Sequence, residues 1–425
     1  MTPGPPTSPH EVSFPAGWGD QPLAWSLTVV VAVALLVLGR RSRLAAAAGG
    51  VALLTAPAVG LVGSAVWGHY PTVDKAGSLH FYALGAHWQA FDPSAPATQL
   101  IGMSMGHLWV TALLDLALPA FAAMNAHALL NLVLGWWLGA RLVEATGTPP
   151  RWALAAAFPL GLGLHALRDI NWYTIEKSGL WPLVLYALML VRAQQRGGAW
   201  ITAAGAAYFW AFFYNAYWGV LGAAIGAVAL LVGNRQARLA VAASVVGVLP
   251  FVAAQLPALR NAQLPPAAAF AERAALDVLA PLGGDGFGPN WNRIPLLGAL
   301  DLPVILAAIA AVAFAAAALR GPGEEGRAAR IQLALGAAGA GFAVLALGPG
   351  TPLWGLFASL PGMWRFAKPE TFFHLSILAA CVLAGPVLAR TRLPPWAVLL
   401  VQAALWLCFA RGSSELYPAF SAWPG

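Results

Sequence analysis

Long apolar stretches dominate the pattern of hydrophobic and polar positions along the chain. A bilayer has a hydrocarbon core about 30 Å thick, and roughly 20 apolar helical residues cross it. The sequence offers about twelve runs near that length, so it predicts an all-α, polytopic integral membrane protein. The runs lie near residues 24–39, 44–66, 120–140, 152–167, 179–191, 199–213, 216–232, 239–256, 302–319, 331–347, 371–389 and 396–410.

Arginines cluster in alternate connections between these predicted helices. Basic residues favour the cytoplasmic side of a membrane, so the alternation places both termini outside. It also resolves one ambiguity: the runs 199–213 and 216–232 meet with almost no connection, and fusing them would put later arginines on the wrong side. The clustered residues are Arg40, Arg41, Arg43, Arg141, Arg151, Arg192, Arg196, Arg235, Arg238, Arg320, Arg327, Arg330, Arg390 and Arg392.

This map divides the chain into a flexible outer N-terminal tail (1–23), a membrane domain (24–410) and a short outer C-terminal tail (411–425). The long outer loops are 67–119 and 257–301. Composition agrees: 60% of the 425 residues are hydrophobic and only 9% are charged, a balance that is rare in soluble domains. The alanine-rich and arginine-rich composition favours a bacterial protein, so we expect it in the inner (cytoplasmic) membrane. The two cysteines lie in apolar runs and are expected in the core.

The other charged residues are distributed unevenly over this map. Only Glu144, Glu324 and Glu325 among the acids fall on the cytoplasmic side, whereas every lysine falls outside. Because carboxylates contribute little to orientation, this asymmetry does not follow from the topology rule itself. It predicts that any chemistry faces outward.

The first outer loop contains "WGHYPTVDKAGSLHFYALGAHWQAFDP", with a predicted helix near 78–91. His80 and His87 share one face of that helix, and Asp74 precedes it. Asp74 and His80 suit a divalent metal ion, which is left open as a cofactor. We favour an interfacial helix instead, because the close histidine spacing of common metal sites is missing. Alone, Asp74 also fits a helix cap or a pair with Lys75.

A late apolar helix begins with charges in "PGMWRFAKPETFFHLSILAACVLAG". Arg365 and Lys368 suit a phosphate at the outer membrane surface, because guanidinium binds phosphate bidentately and ammonium acts as a point charge. The alternative is a pair of anchors that extend towards the headgroups, with Glu370 as a favourable first-turn carboxylate.

Three segments resemble, in this order, bacterial GT-C-type multi-pass glycosyltransferase-like proteins of the YfhO kind. They are "NWYTIEKSGLWPLVLYALMLVRAQQRGG", "ERAALDVLAPLGGDGFG" and "LGPGTPLWGLFASLPGMWRFAKPETFFHLSILAACVLAG". The last is the most specific, because the family often has a Leu-Pro-Gly-aromatic stretch before a basic motif that opens a late helix. The resemblance covers most of residues 67–390.

The resemblance implies a GT-C-like enzyme that moves a sugar from a polyprenyl-phosphate donor to a glycan, lipid or protein acceptor on the outer face. Asp74 would be base or metal ligand, with Glu176 as supporting carboxylate, and Arg365 and Lys368 would hold the lipid phosphate. Membrane lipid is a further partner, and no nucleic acid is expected. The other candidate substrate contacts are His80, His87, Lys177 and Glu370.

Two other functions stay open. A lipid or solute transporter or flippase should carry ionisable residues near the bilayer midplane, where the sequence offers mainly Asn125, His127 and Asn131 on one predicted helix. A noncatalytic GT-C-like assembly subunit would share the fold without a function at Asp74.

Overall fold

The computed structural model describes residues 105–118, 120–163, 166, 178–261, 302–318, 323–348, 351–360 and 369–404. Within these ranges the chain is helical apart from short connections and contains no strand, which confirms the all-α class for this part of the protein. A short 3-10 helix, Pro369–Phe372, leads into α12. The helices are α1 (Met105–Asp115), α2 (Ala120–Ala145), α3 (Pro150–Ala156), α4 (Phe158–Leu162), α5 (Trp181–Arg196), α6 (Ala199–Tyr214), α7 (Ala216–Val232), α8 (Arg235–Asn261), α9 (Leu302–Ala318), α10 (Gly323–Ala346), α11 (Pro352–Ser359), α12 (Phe373–Leu388) and α13 (Pro395–Ala404).

Two stretches in the described residues are long and apolar enough to cross a membrane, Ala126–Ala145 in α2 and Ala329–Ala346 in α10. Shorter apolar helices lie at Ala216–Val232, Val304–Ala318 and in α12 and α13. The figure of about twelve spans stays a prediction.

The predicted separation of 199–213 from 216–232 is confirmed at Asn215. This residue is extended, with φ −155° and ψ 128°, and its side chain accepts a hydrogen bond from the backbone of Tyr217. The chain then reverses, so that the Tyr208 hydroxyl donates to the carbonyl of Gly219 at 3.0 Å. Because a short polar side chain can cap a new helix, Asn215 ends α6 and starts α7 as separate elements.

Several predicted connections and boundaries differ from the structure. The helices α2, α5 and α8 extend beyond the runs predicted at 120–140, 179–191 and 239–256. The run 152–167 is broken at Ala157, between α3 and α4. Pro159 follows the break, and its ring lacks a backbone donor and crowds the preceding turn. In addition, α1 lies inside the predicted outer loop 67–119, and α11 lies inside the outer connection 348–370. Both are shorter than a membrane-spanning helix, so a search for long apolar runs does not find them.

Small residues bring α2 and α4 into close contact. A Cβ on Gly161 would lie 2.4 Å from the carbonyl oxygen of Leu132, and one on Gly135 would lie 2.6 Å from that of Leu160. Side chains at these positions would push the helices apart. Such small-residue contacts are common where membrane helices pack, because water supplies no force to join them there.

One end of the bundle gathers the arginine-bearing helix ends. Gln195 near the end of α5 donates to the carbonyl of Ala145 at the end of α2, at 2.7 Å. Asn234, just before α8, donates to the carbonyl of Gln194 at 2.8 Å. The end of α2, the end of α5 and the start of α8 therefore meet.

The second half of α12 lies at the same end. A Cβ on Gly385 would lie 2.5 Å from the Thr148 hydroxyl, in the turn after α2, and one on Gly336 of α10 would lie 3.8 Å from Leu383. We call this region the arginine end, because it holds all the arginines whose side chains the structure describes. They are Arg141, Arg151, Arg192, Arg196, Arg235, Arg238, Arg330, Arg390 and Arg392.

Large apolar side chains are exposed on the outer faces of the bundle. In α9, which contains no polar or charged residue, Ile309 is 61% exposed and Phe314 is 59% exposed. The other described helices add further exposed leucine, valine and tryptophan side chains. These include Leu113, Trp137, Leu230, Leu231, Leu239, Val245, Val246, Val344, Leu353, Leu356, Trp396, Leu400 and Val401.

Candidate functional site

Buried and partly buried polar side chains from α1, α2, α5 and α6 meet inside the bundle. His127 and Asn131 are four residues apart on α2 and therefore share one face of the helix. Trp181 is the first residue of α5, and Tyr214 is the last residue of α6. We call the group the polar network; its members are Thr111, His127, Asn131, Ser178, Trp181 and Tyr214.

Hydrogen bonds link these side chains in an unbroken series. His127 Nδ1 lies 2.8 Å from Thr111 Oγ1, and His127 Nε2 lies 2.8 Å from Tyr214 Oη. Tyr214 Oη lies 2.8 Å from Asn131 Oδ1. Asn131 Oδ1 also accepts from Trp181 Nε1 at 2.9 Å, and Asn131 Nδ2 donates to Ser178 at 3.2 Å. The series therefore connects α1, α2 and α6 to the first residue of α5 and to Ser178, which lies shortly before it.

The donors fix the direction of this series. An indole N–H can only donate, so the atom of Asn131 that faces Trp181 is the amide oxygen. The Tyr214 hydroxyl donates its one hydrogen to the same oxygen. Its own oxygen must therefore accept from His127 Nε2–H. A neutral imidazole with its proton on Nε2 then accepts at Nδ1 from Thr111. The neutral Nε2–H tautomer of His127 satisfies every contact in the series.

Thr111 has a second acceptor within reach. Its hydroxyl lies 3.2 Å from the backbone carbonyl of His107, compared with 2.8 Å from the His127 ring. If the hydroxyl hydrogen turned to the carbonyl, His127 Nδ1 would need a proton of its own to keep the contact. The orientation of one hydroxyl is therefore coupled to the protonation of His127.

Aromatic rings and a glycine enclose the network. The His107 ring stacks on that of His127 at 6.5 Å, and Trp181 contacts Tyr214 edge to face at 5.5 Å. A Cβ on Gly179 would lie 2.7 Å from both Asn131 Oδ1 and Tyr214 Oη. Since no side chain fits there, glycine allows the backbone after Ser178 to approach the network.

A second buried cluster lies where the start of α12 meets the start of α7. The rings of Trp218 and His374 are 5.1 Å apart, and those of Tyr217 and Phe372 are 5.8 Å apart. His374 Nδ1 lies 2.6 Å from the carbonyl of Thr371. Among the described residues, Trp218 Nε1 and Thr371 Oγ1 are buried without a hydrogen-bond partner, and such groups are uncommon in a folded interior.

The network includes Tyr214 and the second cluster includes Trp218, so both lie at the connection between α6 and α7, at the opposite end of α6 from Arg196. α6 begins at Ala199, shortly after Arg196, and runs 16 residues to Tyr214, a length of about 24 Å. We call this region the network end. The arginines and the buried polar side chains are therefore separated along the helix axes.

Most predicted site residues lie outside the described residues: Asp74, His80, His87, Glu176, Lys177, Arg365 and Lys368. Of Glu370 the structure describes only the backbone, in the 3-10 helix. Their described neighbours are informative. Ser178 follows Glu176 and Lys177 directly and belongs to the network, and Thr371 follows Glu370 and belongs to the second cluster.

The described residues contain no group of three or more His, Cys, Asp or Glu side chains that could hold a metal ion. The proposed metal ligands Asp74 and His80 are not among them, so a metal site there stays a prediction. Cys381 is buried in the core, as expected from its apolar run.

Sequence reasoning found two members of the network and missed the others. His127 and Asn131 stand out as polar residues in an apolar helix. Thr111, Ser178, Trp181 and Tyr214 come from other parts of the chain and have no local signature. A count of polar residues four positions apart on apolar helices would have marked α2 but not its partners.

No protein-family model, curated protein or solved structure matches the chain. The likeness to GT-C-type proteins therefore rests on the three sequence segments.

Proposed function

We propose that the chain is a polytopic glycosyltransferase of the bacterial inner membrane, which moves a sugar from a polyprenyl-phosphate donor to an acceptor on the outer face. The exposed apolar surface supports the membrane part of this proposal. The sequence resemblance and the position of residues 178 and 371 support the enzymatic part.

The observation that carries the membrane assignment is the outward face of α9. A helix that is apolar on all sides belongs either in a protein interior or in lipid. Ile309 and Phe314 are largely exposed on this helix, so the protein interior does not account for it. Lipid removes such side chains from water, which is favourable in proportion to the apolar area.

The separation of the arginines from the buried polar side chains supports the proposed orientation. Arginines near helix ends favour the cytoplasmic surface, so the arginine end faces the cytoplasm and the network end faces outward. Both termini then lie outside, as the full arginine pattern of the sequence predicts.

Described residues at the network end lie next in sequence to candidate residues of the proposed active site. Ser178 is bound to Asn131, and Trp218 packs on His374 three residues after Thr371. Glu176 and Lys177 are therefore next in sequence to a residue of the network, and Glu370 is next in sequence to a residue of the second cluster. In the proposed reaction Asp74 removes the proton of the acceptor hydroxyl or holds a metal that does so, with Glu176 in support. Arg365 and Lys368 bind the donor phosphate.

A transporter is the second candidate, because the structure gives His127 more polar partners than the sequence suggested. An ionisable residue inside a membrane bundle often marks a path for ions or solutes. Both ring nitrogens of His127, however, are hydrogen-bonded to side chains of the protein itself, those of Thr111 and Tyr214.

Cysteine labelling tests the orientation. In a variant without Cys381 and Cys408, a single cysteine at position 285 should react with an impermeant reagent in intact cells, and one at position 325 should react only after lysis. Labelling at 325 but not at 285 in intact cells would overturn the map.

A transfer assay tests the reaction. The full chain, reconstituted in vesicles, should release polyprenyl phosphate from a polyprenyl-phosphate sugar when acceptors are supplied. If no polyprenyl donor were consumed, the noncatalytic subunit would become the better explanation. Solute uptake without donor consumption would favour the transporter.

A further inference from the structure

The arginine end carries an excess of positive charge. Among its described side chains the acid is Glu144, which already pairs with Arg141 at 2.8 Å. Glu324 and Glu325 add two negative charges in the first turn of α10, against the nine arginines defined above. Exposed charges that are not balanced by neighbours attract ligands of opposite sign.

Two arginines at this end lie over tryptophan rings. The Arg141 guanidinium is 5.8 Å from the ring centre of Trp137, one helical turn earlier, and Arg196 is 5.8 Å from that of Trp200. Trp137 is 48% exposed. Tryptophan is enriched at the boundary between acyl chains and headgroups, so each pair places a guanidinium beside a residue suited to that depth.

The turn between α12 and α13 repeats the combination. Arg390 and Arg392 are exposed there, and the apolar side chains of Leu393 and Trp396 are exposed next to them. In water this arrangement would leave apolar surface uncovered. At a bilayer surface the apolar groups enter the acyl region while the arginines stay with the headgroups.

We infer that the arginine end binds the phosphate headgroups of anionic phospholipids. Guanidinium groups bind phosphate oxygens bidentately, which ammonium groups cannot do. The described cations at this end are all arginines, and an anionic leaflet attracts such clusters near the membrane surface. The inference rests on the membrane part of the proposed function and is independent of the sugar transfer.

The experiment compares phosphatidylglycerol with phosphatidylcholine. The purified full chain in neutral detergent receives one lipid or the other, and native mass spectrometry counts the bound lipids while thermal unfolding reports stabilisation. Inorganic phosphate at the same concentration separates a lipid site from a simple anion site. A variant with Arg235, Arg238, Arg390 and Arg392 all changed to glutamine removes charge, and the same four changed to lysine keep the charge without the planar fork.

We expect phosphatidylglycerol to bind in preference to phosphatidylcholine and to raise the unfolding temperature, with the effect weakened by salt. Each arginine replaced by glutamine should lower the preference about fivefold, and the lysine variant should keep part of it. If the glutamine variant does not fold, the four single substitutions provide the same test.

Equal binding of the two lipids, or an unchanged preference in the glutamine variants, would overturn the inference. Equal stabilisation by inorganic phosphate would show an anion site without lipid recognition and would also overturn it. Failure of the chain to enter vesicles of either composition would instead refute the membrane assignment itself.

Discussion

The network end and the arginine end place their polar groups in opposite ways. At the network end, Thr111, His127 and Asn131 are fully buried and bind one another or neighbouring helices. At the arginine end, Arg151, Arg235 and most other charged side chains are exposed. The polar side chains of the network end bind one another inside the bundle, whereas the charged side chains of the arginine end contact the surroundings.

The difference separates two physical tasks. A buried series of hydrogen bonds fixes the angles and distances between helices, because any displacement leaves a donor or acceptor without a partner. Exposed arginines constrain geometry weakly, but they act on charged ligands and membrane surfaces. Precise chemistry is therefore expected near the network end, and adhesion to the membrane at the arginine end.

The largest expected effect is the loss of transfer in Asp74→Asn. The substitution keeps size and most hydrogen bonding but removes the basicity that would activate the acceptor hydroxyl. Transfer should fall by about a hundredfold to ten-thousandfold, measured as donor consumption in vesicles.

The matched control for Asp74→Asn is a substitution at the arginine end of the bundle. Arg392→Gln should leave the transfer rate within about twofold, because an exposed side chain there acts on lipid. A folded Asp74→Asn protein with the parental rate would show that Asp74 is not the base.

The next largest expected effect is the loss of affinity for polyprenyl phosphate when Arg365 is replaced. Arg365→Ala removes charge-assisted hydrogen bonds worth about 1.5–3 kcal/mol, so affinity for polyprenyl phosphate should fall roughly tenfold to hundredfold. Arg365→Lys should recover part of the loss, since it keeps the charge without the fork. Titration with the carrier measures both; unchanged affinity in Arg365→Ala and Lys368→Ala alike would contradict the assignment.

The sequence predicted most of the described helices because their ends are chemically marked. The run predicted at 216–232 coincides with α7, which begins after the capping residue Asn215 and ends before Gly233. By contrast, the runs predicted at 179–191 and 239–256 exclude the flanking arginines, whereas α5 continues to Arg196 and α8 begins at Arg235. A capping residue or a glycine therefore marks a helix end more closely than the first arginine that interrupts an apolar run.

The features that the sequence did not predict have a different cause. The break at Ala157 depends on Pro159 inside an otherwise apolar run, and hydrophobicity alone does not register it. The network depends on contacts between residues far apart in sequence, such as His127 and Tyr214. Single-sequence patterns carry no information on which helices are neighbours, so the partners of His127 and Asn131 in the network could not be predicted.

The contribution of the network to stability can be measured by comparing two asparagines. Asn131→Ala removes three hydrogen bonds in a buried site, to Ser178, Trp181 and Tyr214. The free energy of unfolding should fall by about 2–4 kcal/mol. Asn234→Ala at the arginine end removes two bonds from a half-buried helix cap and should lower it by about 1 kcal/mol. Denaturant titration in detergent distinguishes them, and equal losses would refute a special role for the network.

The smallest expected effect separates two tyrosines within the bundle. Tyr214 Oη both accepts from His127 and donates to Asn131, whereas Tyr208 Oη donates once, to the carbonyl of Gly219. A hydrogen bond between membrane helices contributes about 0.6 kcal/mol on average. Tyr208→Phe should therefore lower the free energy of unfolding by about 0.6 kcal/mol, and Tyr214→Phe by about twice as much.

Tyr214→Phe also leaves His127 Nε2–H without its acceptor. The histidine ring proton, observed by NMR, should therefore exchange with solvent faster in Tyr214→Phe, while Tyr208→Phe should leave its exchange unchanged. Equal stability losses together with an unchanged histidine signal in Tyr214→Phe would show that the hydrogen-bond series does not persist in the folded protein.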